Sequence, residues 1–134
     1  MSLIIPDARE IEVLTNFLTP ALTLKLYGNN KTPTSADIAA NYTEIVGGGY
    51  LSKPLIFANW TLTPGAPSVA LYAVQEWLFT GVINAPATIY GYFVIETISG
   101  LLKWADRFPV ANVPFTPIAG SVIRVVPRIS AESA

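Results

Sequence analysis

The sequence predicts an all-β domain, an antiparallel β-sandwich or jelly roll preceded by one short helix. Three observations carry that prediction. Short stretches with a period of two recur along the chain, clusters of Gly, Pro, Asn and Ser separate them, and Thr88 to Arg107 reads as a hairpin. In the first arm of the hairpin Ile89, Gly91, Phe93 and Ile95 share one face, and Tyr90, Tyr92 and Val94 share the other. A strand that is apolar on both faces belongs in the middle of a sheet, or between a core and a partner subunit. Thr97 to Gly100 supplies the turn, with Gly100 free to take the positive φ that a short hairpin needs, and Leu101, Leu102 and Trp104 open the return arm.

Taken in order, Pro6 to Leu18 has helical periodicity. Pro6 suits a first helical position, Asp7 and Glu10 stand near the positive end of the helix dipole, and Ile11, Leu14, Phe17 and Leu18 form one stripe. Residues 1–20 are therefore expected to form a helical segment, ended by Pro20, that either caps the β core or docks on another subunit. Leu22, Leu24 and Leu26 alternate with Thr23, Lys25 and Tyr27 as a half-buried strand. Gly28 to Ala40 is a polar surface loop with one helical turn expected near Ser35 to Ala39, and loops of this length are often contact surfaces.

Tyr42 to Val46 extends briefly before Gly47, Gly48 and Gly49. No Lys-Ser or Lys-Thr follows the triplet, which favours a backbone bend at positive φ over a phosphate-binding loop. Tyr50 to Ile56 reads as extended, and Ala58 to Leu62 as a further strand ended by Thr63-Pro64-Gly65-Ala66-Pro67. Val69 to Val74 and Gln75 to Thr80 form either one long bent strand or two strands that switch sheets at a corner. Gly81 to Ala87 is a loop. Beyond the hairpin, Pro109, Pro114 and Pro117 interrupt regular pairing, Ser121 to Val126 is the last expected strand, and residues 127–134 are expected to be a loose tail. The whole of 1–134 reads as one domain of roughly seven or eight strands.

Composition narrows the function. A chain of 134 residues is long enough to bury about two-thirds of its unfolded surface. It has no Cys and no His, which excludes disulfides, thiolate or imidazole zinc sites, and Ser-His-Asp or Cys-His nucleophiles. Nothing in the sequence calls for a cofactor. Charged residues make up 13% of the chain, against roughly 25% in typical domains. The basic residues Arg9, Lys25, Lys31, Lys53, Lys103, Arg107, Arg124 and Arg128 are dispersed and the net charge is -1, so no nucleic-acid partner is expected. The hydrophobic fraction is 51% and the mean hydropathy +0.46. No run approaches the roughly 18 apolar residues of a membrane span, so no membrane partner is expected and the surplus suggests protein interfaces. The start MSLIIPDARE lacks the features of a secretory signal.

Three constellations could carry chemistry. Glu76 with Glu96 or Asp106 is the carboxylate pair to test, its bland alternative being a salt bridge of Glu76 or Asp106 to Lys103 or Arg107. Trp60, Trp77, Trp104, Tyr50, Tyr72, Tyr90 and Tyr92 could line a sugar platform, but aromatics at strand period more often fill sheet interiors. Asn41-Tyr42-Thr43 and Asn59-Trp60-Thr61 match the glycosylation sequon with no secretion signal to support it.

A set of short motifs supplies a resemblance: Leu24-Lys25-Leu26-Tyr27 with Asn29-Asn30, Tyr42-Thr43-Glu44, Gly48-Gly49-Tyr50, Ala58-Asn59-Trp60, Ile89-Tyr90-Gly91-Tyr92 and Trp104-Ala105-Asp106-Arg107-Phe108. Their order and spacing, over Glu10 to Val126, resemble a family of small virion proteins of tailed bacteriophages. Among these the chain is most similar to the capsid decoration, or cement, proteins. The resemblance implies a non-enzymatic subunit, homotrimeric, bound to the outer face of the major capsid protein lattice on the phage head. It offers no catalytic motif. The alternative it leaves open is a tail- or fibre-associated glycan-binding module. On this reading the contact residues are expected in the N-terminal helix at Phe17 and Leu18, in the loop at Asn29, Asn30, Lys31, Pro33 and Asp37, and in the proline-rich segment at Pro109, Pro114, Phe115 and Pro117.

Overall fold

The computed structural model describes residues 7–84 and 86–131. Pro6, the side chain of Asp7, Ala85 of the expected loop and residues 132–134 of the expected tail lie outside the described residues. In chain order come α1 (Asp7–Leu18), β1 (Leu22–Tyr27), β2 (Lys53–Leu55), β3 (Thr61–Thr63), β4 (Ser68–Leu71), β5 (Gln75–Leu78), β6 (Gly91–Glu96), β7 (Leu102–Arg107), β8 (Val122–Val125) and β9 (Arg128–Ala131). All strand pairings are antiparallel. The fold is all-β with a short N-terminal helix.

The largest sheet has the order β2-β1-β6-β7; the others are β3-β4-β9 and β5-β8. Their inner faces meet in one apolar cluster that takes Leu22, Leu24 and Leu26 from β1, Tyr92 and Val94 from β6, Ala70 from β4, Trp77 from β5 and Val125 from β8. The result is sandwich-like. Strand β6 lies between β1 and β7, and its two faces are covered differently. Tyr92 and Val94 enter the main cluster, while Phe93 packs with Tyr27 and Tyr42 on the other side. The hairpin turn closes with Glu96 N–H on the Leu101 carbonyl at 2.8 Å, and Gly100 has φ 75°.

Helix α1 buries Leu14 and Leu18 in the main cluster, four residues apart on one face as the 3.6-residue period requires. Glu10, one turn earlier, is also buried, at 1% exposure. Its Oε1 accepts hydrogen bonds from the Ser68 hydroxyl at 2.7 Å and the Ser68 N–H at 3.2 Å, tying the helix to β4. A buried donor that loses its acceptor costs about 1–3 kcal/mol. We therefore expect Glu10→Ala to destabilise the protein by about 2–4 kcal/mol, measured as a shift in the urea midpoint. Glu10→Gln, which keeps an acceptor oxygen, should lose less.

Strands β4 and β5 face β9 and β8 in two successive ladders that meet at a bend. Ser68–Leu71 pairs with Arg128–Ala131, and Gln75–Leu78 pairs with Val122–Val125. Between the two ladders, residues 72–74 face only 126–127, so one strand carries an extra residue, and such a bulge bends a ribbon. Of the two arrangements expected for Val69 to Thr80, the strands that change sheet at a corner are the ones found.

Three boundaries differ from the sequence expectation. Residues 128–131 of the expected loose tail form β9, because Pro127 lacks only a donor: its carbonyl accepts the Tyr72 N–H at 3.0 Å and carries the ladder through. The expected strand from Ala58 begins instead as a 3-10 turn, Phe57–Asn59, before β3. The helical turn expected near Ser35 to Ala39 lies later, as a 3-10 turn at Ala39–Asn41. The glycine triplet does bend at positive φ, with 96°, 62° and 80° at Gly47, Gly48 and Gly49.

Candidate interaction surface

The long loop after β1 is pinned to the sheet by its own polar groups. Tyr27 and Tyr42 meet edge to face at 4.9 Å, and Tyr42 stacks on Phe93 at 5.4 Å. These rings place two hydroxyls inside the loop: Tyr27 donates to the Lys31 carbonyl at 2.9 Å, and Tyr42 donates to Asp37 at 2.6 Å. The Lys31 ammonium stands 2.8 Å from Asp37, which also accepts the Thr34 N–H and hydroxyl. Led by Lys31 and then Tyr42, these partners hold the Asp37 carboxyl well below the usual carboxylate range. Asn29 spends both ends of its amide on the Asn41 carbonyl and the Thr43 N–H, each at 2.9 Å. The exposed Asn30 accepts from Arg107 at 2.8 Å, and the same guanidinium lies 5.0 Å from the Tyr90 ring centre. Asn29, Lys31 and Asp37 thus shape the loop from within. Pro33 and Asp37, with Tyr42, Lys103 and Trp104, line a shallow cavity of about 410 Å³ against β7.

The two helix residues part company. Leu18 is 0% exposed and belongs to the core, which corrects its expected role as a contact residue. Its stripe position serves burial because α1 lies over β4 and β9 rather than standing apart. Phe17 is half-buried, 5.8 Å from Trp104 and 4.2 Å beneath the Lys103 ammonium.

In the proline-rich segment Pro109 and Pro114 are exposed and Phe115 is half-buried, bonded through its backbone to Ile89 at 2.8 and 3.0 Å. Pro117 is buried, turned inward between the exposed Thr116 and Ile118, so its expected role as a contact residue is corrected too. Phe108, Val113, Pro114, Phe115, Val122 and Arg124 border a groove of about 510 Å³ between this segment and β8. Val110, 85% exposed, and Ile118 are large apolar side chains left in solvent on the same segment.

The groove leads onto a surface that the sequence reading did not single out, the outer face of the β5–β8 ribbon. Trp77 and Val125 turn inward, which sends Glu76, Leu78 and Arg124 outward with Val122, while Val74 and Val126 are exposed at the bend. Alternation along each strand was visible in the sequence; the register that sets Glu76 opposite Arg124 was not.

No family model, curated protein or solved structure matches the chain.

The carboxylates do not converge. Glu76 on β5 is bonded to Arg124 at 2.6 Å, so its partner is neither Lys103 nor Arg107 as expected, while Glu96 on β6 lies 3.9 Å from Lys103 in the other sheet. Among the described residues no three His, Cys, Asp or Glu side chains group as metal ligands would. Trp60, Trp77, Tyr72 and Tyr92 are buried in the core. Trp77 donates to the Leu51 carbonyl at 2.8 Å, and the Tyr72 hydroxyl accepts the Ile56 N–H at 3.1 Å. These rings fill the interior rather than building a sugar platform.

Proposed function

We propose that the chain is a non-enzymatic structural subunit of a tailed-phage virion, a capsid decoration protein that lies on the outer face of the major capsid protein lattice. The observation that carries this reading is the proline-rich segment, on which Pro109, Val110, Pro114 and Ile118 all stand exposed. Exposed apolar area of this kind, in a domain with few charges, is what a protein interface requires. The order of short motifs from Leu24 to Phe108, which resembles phage virion proteins, supports the choice of lattice as partner. Repeated copies on a lattice also tolerate weak single contacts.

The test is occupancy of undecorated heads. Val110→Asp should weaken binding at least about tenfold, roughly 1.4 kcal/mol, because it buries a charge at the contact. Its thermal melting should match that of the unaltered protein, since the side chain is in solvent. Full occupancy by Val110→Asp would remove the proline-rich segment as the docking surface.

A further inference from the structure

The outer face of the β5–β8 ribbon has a symmetric pattern. At its centre lies one anion beside one cation, Glu76 and Arg124, directly paired across the strands. Leu78 and Val122 form the next outward pair on one side, and Val74 and Val126 flank the centre on the other. Each of the four apolar side chains is more than a third exposed, Leu78 the most at 61%. Surface ion pairs contribute little to folding, and apolar side chains in water contribute nothing to it. Within one copy the ion pair supports the β5–β8 register, while the four apolar side chains around it lie largely in solvent.

We propose that this face docks on the same face of a second copy of the chain through a two-fold axis. Two-fold contacts are self-complementary, each patch meeting its own image. A rotation that lays β5 over β8 of the second copy sets Glu76 against Arg124 of that copy and Arg124 against its Glu76. Two ion pairs become one ring of four alternating charges, and no charge is left without an opposite neighbour, which is the condition for burying charge at an interface. On either side of the ring, Leu78 meets Val122 of the second copy and Val74 meets its Val126, giving apolar contact on both sides of the polar centre. The pairing does not depend on a virion role. It departs from the three-fold assembly that the resemblance implies.

Charge exchange tests it. Glu76→Arg places two cations at the centre of the face and Arg124→Glu places two anions there, so each variant repels its own copy and attracts the other. By light scattering the unaltered protein should be a dimer, each single variant should be a monomer or at least about tenfold weaker in association, and an equimolar mixture should recover the dimer. Leu78→Asp should also give monomers. Both exchanged side chains are about half exposed or more, so thermal melting followed by circular dichroism should show all variants folded. An unaltered protein that is monomeric at about 0.1 mM, one that forms trimers, single variants that stay dimeric, or a mixture that stays monomeric would each overturn the proposal.

Discussion

Gly91→Ala should remove most of the protein's stability, by more than about 4 kcal/mol. Gly91 opens β6 with Tyr27 of β1 on one side and Arg107 of β7 on the other. A Cβ at this position would lie 2.2 Å from the Asp106 carbonyl oxygen and 2.7 Å from the Tyr27 ring and hydroxyl. The first neighbour is backbone and the second is a fully buried ring, so neither can give way without parting the central sheet. Gly100→Ala is the matched control. It forces positive φ on a side chain but meets nothing within 4 Å, and should cost about 1–2 kcal/mol. Urea unfolding of the two variants separates a steric requirement from a turn preference. Equal midpoints for Gly91→Ala and the unaltered protein would show that the β1–β6–β7 packing is misread.

Alkali should unfold the protein well before it would unfold a domain with exposed phenols. Burial pushes the Tyr27 hydroxyl up to about 12 from 10.0, and burial likewise raises Tyr42, Tyr50 and Tyr92. The hydrogen bonds from Tyr42 to Asp37 and from Tyr50 to Glu44 add to the rise, because each needs the phenolic proton. Below pH 10 folded and unfolded chains are both protonated at these sites, and the stabilisation is fully present. Above it the unfolded chain sheds protons that the folded chain retains, so stability falls as pH rises, by about 1.4 kcal/mol per pH unit for each such tyrosine. Four together remove several kcal/mol within about one unit, comparable to the whole stability of a domain this size. With circular dichroism and tyrosinate absorbance followed from pH 8 upward, the absorbance of these four tyrosines should appear in the same cooperative step as the loss of the native spectrum, beginning above pH 10. Tyrosinate absorbance that reaches its full value while the circular dichroism stays native past pH 12 would contradict the burial of these hydroxyls.

What could be read from the sequence was local, and what could not was pairing. The alternation of Leu22, Leu24 and Leu26 marked β1 as a strand with one buried face, and the two apolar faces of Tyr90 to Ile95 marked β6 as a central one, because period and burial are properties of a single stretch. The strand β9 was missed because a proline normally ends a ladder. Only the neighbouring strand shows that the Pro127 carbonyl is needed as an acceptor. Leu18 and Pro117 were expected at a contact surface and are buried, since an apolar residue on a helix or in a proline-rich segment has the same letter whichever side it faces. Glu10 was read as favourable to the helix dipole, but its burial against Ser68 depends on a partner 58 residues away. The outer ribbon face was invisible for the same reason: Glu76 and Arg124 become a pair only when β5 and β8 are in register.

The proposed role rests on binding to a capsid lattice, and co-sedimentation of the purified protein with undecorated phage heads tests it most directly. Saturable binding at a fixed number of copies per head is expected, together with a higher thermal transition for the decorated heads. A protein that stays in the supernatant at every concentration and leaves that transition unchanged would contradict it.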